Sequence, residues 1–340
     1  MIDVFVIPFF IVLMIIPLIS YLAIKLNLVD HPASRKIHKK PIPRIGGIGI
    51  YLGFIGALTY SGFALKIFQK PETVLPTLIG ATAVMLLGLW DDIKRVPAPI
   101  KLFGQLLIAF YTVQAGIKVD FITNPFGGIM PLGMFSMILS IVWIIAMMNM
   151  MNLIDGLDGL AAGLASISGF ILFLAAVILG RFDAAILALC FIGATTGFLR
   201  HNFHPATIFM GDCGSLLLGY LLAVISIVGV MKSTATLAVA IPILALIVPI
   251  SDTGMAIFRR LKAGIHIFHP DDGHLHHKLL YRGFNQKQVA MILYYSTVGF
   301  GLLGLSFAFV EGLWAILWLA LVVTLILFVI KRISLLNEKS

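Results

Sequence analysis

The sequence predicts an all-α, polytopic integral membrane bundle, and three observations carry that reading. Hydrophobic residues make up 60% of the chain and charged residues only 11%, whereas soluble domains carry about 25% charge. The mean hydropathy is +1.06. The apolar residues also fall into successive runs, and a spanning helix takes roughly 20 residues. No stretch has the size and composition of a separate soluble domain, so residues 1–340 read as one transmembrane unit.

Eleven helices are expected, near 4–24, 46–65, 74–90, 102–117, 134–150, 160–179, 184–199, 214–231, 236–257, 289–309 and 313–330. The first run has Asp3 before it and Lys25 after it. A cleavable signal would place basic residues ahead of a shorter apolar core, so this run is expected to be a retained helix. Residues 118–133, with Pro125, Gly127, Gly128 and Pro131, read as a loop or re-entrant turn. The two cysteines, Cys190 and Cys213, offer neither a disulfide framework nor a metal-type pattern.

Charge orients these helices. With eleven spans, one side of the membrane takes all but five of the 24 Lys and Arg, the exceptions being Lys66, Lys70, Lys118, Arg181 and Lys232. The positive-inside rule makes the rich side cytoplasmic, with the N-terminus outside and the C-terminus in the cytoplasm. The net charge of +9 is therefore a matter of topology and anionic headgroups. Its basic residues are not interleaved with the aromatic motifs of a nucleic-acid module, which excludes that class.

The polar motifs lie in loops near 27–45, 91–101, 150–159, 200–214 and 258–288, all on the basic side. Their convergence suits an active site open to soluble substrates. A transporter would place polar groups near mid-membrane, and no internal repeat supports one.

The central motif is Asn149-Met150-Met151-Asn152-Leu153-Ile154-Asp155-Gly156-Leu157-Asp158-Gly159. Charge near hydrocarbon is costly and marks function. If the segment is helical, Asp155 and Asp158 share a face, and the following glycines leave room for a ligand to approach the backbone. Asp91 and Asp92 repel one another, so the pair calls for a cation, either a metal or the nearby Lys94 and Arg95. Lys101 opens the next helix and either snorkels to the surface or meets a phosphate. Asp212, between Gly211 and Cys213 at a helix start, suits a hard-metal ligand beside N–H groups that favour anions, and equally a simple cap. Asn202 could read a base edge or satisfy its own loop. His274, His276 and His277 invite a zinc reading, but no Cys accompanies them, and phosphate or sugar contacts fit better. Asp252 reads as a partner of Arg259 or Arg260, and His38, His201, His204, His266 and His269 as loop histidines. There is no nucleophile elbow for acyl transfer. Many Asp with Lys and His suit metal-assisted phosphoryl transfer, which needs positioning and charge stabilisation more than covalent help.

These motifs, in this order, resemble the polyprenyl-phosphate N-acetylhexosamine-1-phosphate transferase family (glycosyltransferase family 4). The likeness runs from Lys39-Lys40-Pro41-Ile42-Pro43-Arg44-Ile45-Gly46-Gly47 through Asp91-Asp92, Asn152 to Gly159, and Asn202 with Phe209 to Asp212. It ends at His274-Leu275-His276-His277. The resemblance implies transfer of a sugar-1-phosphate from a UDP-N-acetylhexosamine to undecaprenyl phosphate, with release of UMP. It places the protein in a bacterial or archaeal cytoplasmic membrane with the site facing the cytoplasm. It further implies Mg²⁺, with Mn²⁺ as a substitute, bound by Asp212 and Asn152. Asp91, Asp92, Asp155 and Lys101 take catalytic positions. Lys39, Lys40, Asn152, Gly156, Leu157, Asp158, Asn202, Phe209, His274, His276 and His277 take substrate-binding ones. The family includes dimers, which leaves a homodimer open, and nothing in the sequence marks an interface. His277 is followed by Lys278, Leu279 and Leu280, not by the aromatic and acidic residues of the branch using UDP-MurNAc-pentapeptide, which favours UDP-GlcNAc. Membrane prenyltransferases would want a further Asp after Asp92, and CDP-alcohol phosphotransferases a different run after Asp155.

Overall fold

The computed structural model describes residues 2–31, 41–64, 68, 71–123, 128–231, 238–262, 264, 273–310 and 312–337. Lys39, Lys40, His38, His266 and His269 lie outside them. The elements in order are α1 (Ile2–Lys25), β1 (Val29–Asp30), β2 (Ile42–Pro43), α2 (Gly47–Thr59), α3 (Val74–Lys94), α4 (Ala98–Gln114), β3 (Phe121–Thr123), β4 (Ile129–Pro131), α5 (Phe135–Ile154), α6 (Leu160–Ile178), α7 (Phe182–Asn202), α8 (Gly211–Ser226), α9 (Ala240–Ala245), α10 (Ile247–Lys262), α11 (Leu275–Tyr281), α12 (Gln286–Ser306) and α13 (Gly312–Asn337). The protein is an all-α polytopic membrane bundle. Among the described residues seven helices are long and apolar enough to cross a bilayer: α1, α3, α5, α6, α7, α8 as it continues to Met231, and α12. α2 and the first half of α13 are shorter apolar helices.

Each expected run falls on helix, but 236–257 is broken in two. Pro249 lacks the N–H that would bond the Ala245 carbonyl, and α9 and α10 part at Leu246. The freed carbonyl is taken by the Ser168 hydroxyl of α6 at 2.6 Å. In α1, Pro17 likewise frees the Leu13 carbonyl, which receives His201 Nε2 at 3.1 Å. Both repairs are what a membrane interior demands, since no water is there to satisfy the group. The stretch 118–133, expected as a loop or re-entrant turn, carries the short antiparallel pair β3–β4 among its described residues, with Phe121 opposite Pro131. β1 and β2 pair similarly, Val29 opposite Pro43.

α8 is the innermost helix, buried from Cys213 to Ser226, with α2, α3, α5, α6 and α7 packed around it. Without a hydrophobic drive between helices in lipid, close backbone approach supplies the packing. At Gly88 of α3, a Cβ would lie 2.5 Å from the Asp212 carbonyl oxygen, so only glycine lets α3 meet the start of α8. Outward-facing side chains such as Met14, Phe103 and Leu107 are apolar and exposed, as a lipid-facing surface requires.

Candidate active site

Segments from across the sequence meet at one end of the bundle around a cavity of about 950 Å³. Its wall takes in the ends of α1, α3, α5 and α7, the start of α8, the β2–α2 connection, and His277 of α11. Of the expected site residues, Asp92, Asn152, Asp155, Gly156, Leu157, Asp158, Asn202, Phe209, Asp212 and His277 line it. Asp91, Lys101, His274 and His276 stand behind that wall, joined to it through contacts described below.

Asp91 and Asp92 are consecutive on a helix, about 100° apart around its axis, and so face different neighbours. Asp92 is 7% exposed. Its Oδ1 accepts the Asp212 N–H at 2.9 Å and its Oδ2 the Cys213 N–H at 3.0 Å. The carboxylate thus fills the anion position at the N-terminus of α8, satisfying two N–H groups the helix leaves open. Gly211, at φ +71°, makes the bend into α8 that brings those N–H groups to Asp92. Arg44 reaches the same carboxylate at 3.2 Å and the Asp92 carbonyl at 2.9 Å. Asp91 instead accepts the Val96 N–H at 2.7 Å and pairs with Lys101 at 2.8 Å. The cations that balance the acidic pair are therefore Arg44 and Lys101. Lys94 and Arg95 point outward, because α3 ends there with Arg95 in the left-handed region at φ +53°.

Lys101 does not snorkel. Its ammonium bridges Asp91 to Asp212 Oδ2, while Asp212 Oδ1 accepts from Asn152 Nδ2 at 3.1 Å. Asn152 also donates to Ser215 Oγ at 2.9 Å, which leaves its amide oxygen for the cavity.

The Asp155–Gly159 segment is a non-helical connector between α5 and α6. Asp155 and Asp158 therefore share the cavity without sharing a helix face. Asp158 Oδ2 accepts the Ala206 N–H at 3.1 Å and lies 2.8 Å from His204 Nδ1, so His204 is part of the wall rather than a mere loop histidine. Asn202 is buried and spends its amide on the local backbone, accepting from Gly159 N at 3.1 Å and donating to the Ile208 carbonyl at 2.8 Å. Among the described residues no hydrogen-bond donor reaches the Asp155 carboxylate. Enclosure pushes its pKa up to about 8, and the charges of Asp212, Asp92 and Asp158 push the same way. Among the described residues Arg44 and Lys101 pair with Asp91, Asp92 and Asp212, and His204 lies against Asp158. Among the described residues no three His, Cys, Asp or Glu side chains are grouped to hold a metal ion by themselves; Asp155, Asp212 and Asn152 share the cavity wall, and carboxylate and amide oxygens are the donor type a hard divalent cation takes.

The histidine motif divides. His277 lines the cavity. His276 is 2% exposed, and a Cβ at Gly156 would lie 2.6 Å from its Nε2, so His276 packs directly on the connector. Burial lowers its pKa to about 4, aided by His277 and His274. His274 meets Asp252 at 2.8 Å, and the Leu275 N–H donates to the same carboxylate at 2.6 Å. Both oxygens of Asp252, expected beside Arg259 or Arg260, are thus engaged by α11. Arg44, His204 and Asp252 were not legible as site residues, because each is joined to its partner only by the fold.

Fold and site together define a class: a helical membrane protein with an acidic chamber at one end of its bundle. Residues 74–230 match the model of the family described as glycosyl transferase family 4. A relative from Bacillus subtilis (strain 168), named probable undecaprenyl-phosphate N-acetylglucosaminyl 1-phosphate transferase, is 37% identical over 98% of this chain and 92% of its own length. The decaprenyl-phosphate N-acetylglucosaminephosphotransferase of Mycobacterium tuberculosis (strain ATCC 25618 / H37Rv) is 34% identical over 81% of this chain and 74% of its own. The undecaprenyl-phosphate alpha-N-acetylglucosaminyl 1-phosphate transferase of Salmonella typhi is 27% identical over 80% and 74%. The chain belongs to glycosyl transferase family 4.

Proposed function

We propose that this protein transfers GlcNAc-1-phosphate from UDP-GlcNAc to undecaprenyl phosphate in a cytoplasmic membrane, forming undecaprenyl-diphospho-GlcNAc and releasing UMP. The observation that carries this reading is the convergence of Asp92, Asn152, Asp155 and Asp212 on one cavity at the bundle end. The names of the relatives support the sugar and the lipid class. The asymmetry of Lys and Arg along the sequence supports a cytoplasm-facing site.

An oxygen of the lipid phosphate attacks the sugar-bearing phosphorus. A new P–O–P link forms as the bond to the UMP oxygen breaks, and no covalent enzyme is required. Asp212 and the Asn152 amide oxygen would hold Mg²⁺, which neutralises charge on the diphosphate when bound. Lys101 fixes the Asp212 carboxylate from the opposite side. Asp92 is held by Arg44 and two α8 N–H groups, so we assign it to building the site. Asp155, the carboxylate without a donor, is the group placed to take a proton from the acceptor phosphate. Asp158, Phe209 and His277 line the space for the nucleotide sugar.

The test is UMP release by detergent-purified protein given undecaprenyl phosphate and Mg²⁺, with UDP-GlcNAc and UDP-MurNAc-pentapeptide offered in parallel. Release with UDP-GlcNAc alone is expected. Release with the pentapeptide donor alone overturns the assigned sugar, and silence across a panel of UDP-sugars overturns the reaction.

A further inference from the structure

His277 faces the cavity from a seven-residue helix whose Leu275, Leu279 and Leu280 pack on the core. α11 has no side-chain cap of its own at His274. What fixes the start of the helix is Asp252, from α10 in the bundle. This carboxylate is 1% exposed, and each oxygen has one partner: Oδ2 lies 2.8 Å from His274 Nδ1 and Oδ1 accepts the Leu275 N–H at 2.6 Å. Two bonds from one rigid group fix both the position and the rotation of the helix start. The rotation matters because it places His276 and His277 together, their rings packed 4.4 Å apart. His276 enters the protein against Gly156, its ring 5.6 Å from that of His274 in stacked array. His277 is left on the cavity side.

We propose that Asp252 is a positioning residue, which by engaging His274 and the Leu275 N–H sets the rotation of α11 and so presents His277 to the sugar nucleotide. Asp252 does not line the cavity and touches no substrate. Its influence on turnover passes through His277. The proposal rests on the functional reading above for its kinetic arm only.

The decisive experiment is a double-mutant cycle on the full-length protein, with Asp252→Asn, His274→Asn and His277→Ala, alone and in pairs. Asp252→Asn keeps the shape of the side chain and an oxygen for the Leu275 N–H. It and His274→Asn should each raise KM for UDP-GlcNAc about tenfold with kcat within about twofold. On the His277→Ala background each should add less than about twofold, because residues acting through one contact are not additive. A second arm needs no turnover: His277→Cys labelled from water by a charged methanethiosulfonate. Cys190 and Cys213 are both buried, so the background is low. Adding Asp252→Asn should change the labelling rate at least about fivefold if the helix start relaxes. An unchanged labelling rate, or a KM loss that adds in full to His277→Ala, overturns the proposal. If the wild-type protein releases no UMP from UDP-GlcNAc, the functional reading falls and the labelling arm alone decides the role of Asp252.

Discussion

Asp92 and Asp212 are joined through the backbone: the Asp92 carboxylate accepts the N–H of Asp212 at 2.9 Å, so the end of α3 caps the start of α8 across 120 residues of sequence. The side chain of Asp212 is thereby fixed at the mouth of the cavity while its own N–H is held from behind. Asp92→Asn removes the charge at the α8 N-terminus and supplies an amide that accepts with only one atom. A cap of this kind is worth about 1–2 kcal/mol. Tm in detergent should fall by a few degrees, and UMP release should fall at least about a hundredfold because Asp212 loses its setting. Near-normal turnover in this variant would sink the role assigned to Asp92.

Lys101 makes a second, electrostatic prediction. Its side chain is 14% exposed and stands between Asp91 and Asp212. Lys101→Met leaves two carboxylates with one cation fewer, a larger loss than the pair's net contribution. Turnover should drop by about two orders of magnitude. Asp212, freed of its ammonium, should bind a divalent cation more tightly. Titrating activity against Mg²⁺ should therefore show half-saturation at lower metal together with a lower plateau. A half-saturation point moving to higher metal would show that Lys101 does not compete for Asp212.

The helices and the identity of the acidic motifs were legible in the sequence, and the pairings between them were not. Hydropathy located each run because spanning length and apolarity are local properties. It missed the break at Leu246, although Pro249 announces one, because an apolar run with a proline reads the same whether it bends or breaks. Asp91-Asp92 signalled a need for a cation, either a metal or, by local spacing, Lys94 and Arg95. The partners are Arg44 and Lys101, which only folding brings near. Asp155 and Asp158 line one cavity, brought there by a connector and not by the helix face they would share if the segment were helical.

His276 gives the docked histidine segment a pH dependence of its own. Its pKa in the folded protein is lowered to about 4 from an ordinary 6.5, so the buried ring is neutral at pH 7. The unfolded or released loop binds a proton first as pH falls through 6.5, and the folded loop does so only near 4. Stability of the docked loop is therefore complete above pH 6.5 and is lost progressively between 6.5 and 4, by about 3 kcal/mol at most. KM for the donor should rise across that window, and His276→Gln should flatten the rise. A KM that stays level from pH 7 to 5 in the wild type would contradict the assignment.

Gln105 and Asn149 form a reciprocal amide pair one helical turn deeper than Lys101 and Asn152. Asn149 Nδ2 donates to Gln105 Oε1 at 2.7 Å, and Gln105 Nε2 returns to Asn149 Oδ1 at 3.4 Å. Gln105 is fully buried, so Gln105 left alone strands an amide where no water can serve it, whereas Asn149 left alone loses its partner but keeps the Ile145 carbonyl at 2.8 Å. Interhelical bonds in bilayers contribute about 0.6–2 kcal/mol, and an orphaned amide costs about 1–3. Gln105→Leu and Asn149→Leu should each lower Tm by several degrees, while the double variant, with no orphan, should be less destabilised than the sum of the two. The pair also ties α4 to α5 directly beneath the two residues that grip Asp212. The double variant should accordingly recover Tm without recovering kcat. Full recovery of both would reduce the pair to packing, and strictly additive losses in Tm would deny that the two amides are coupled.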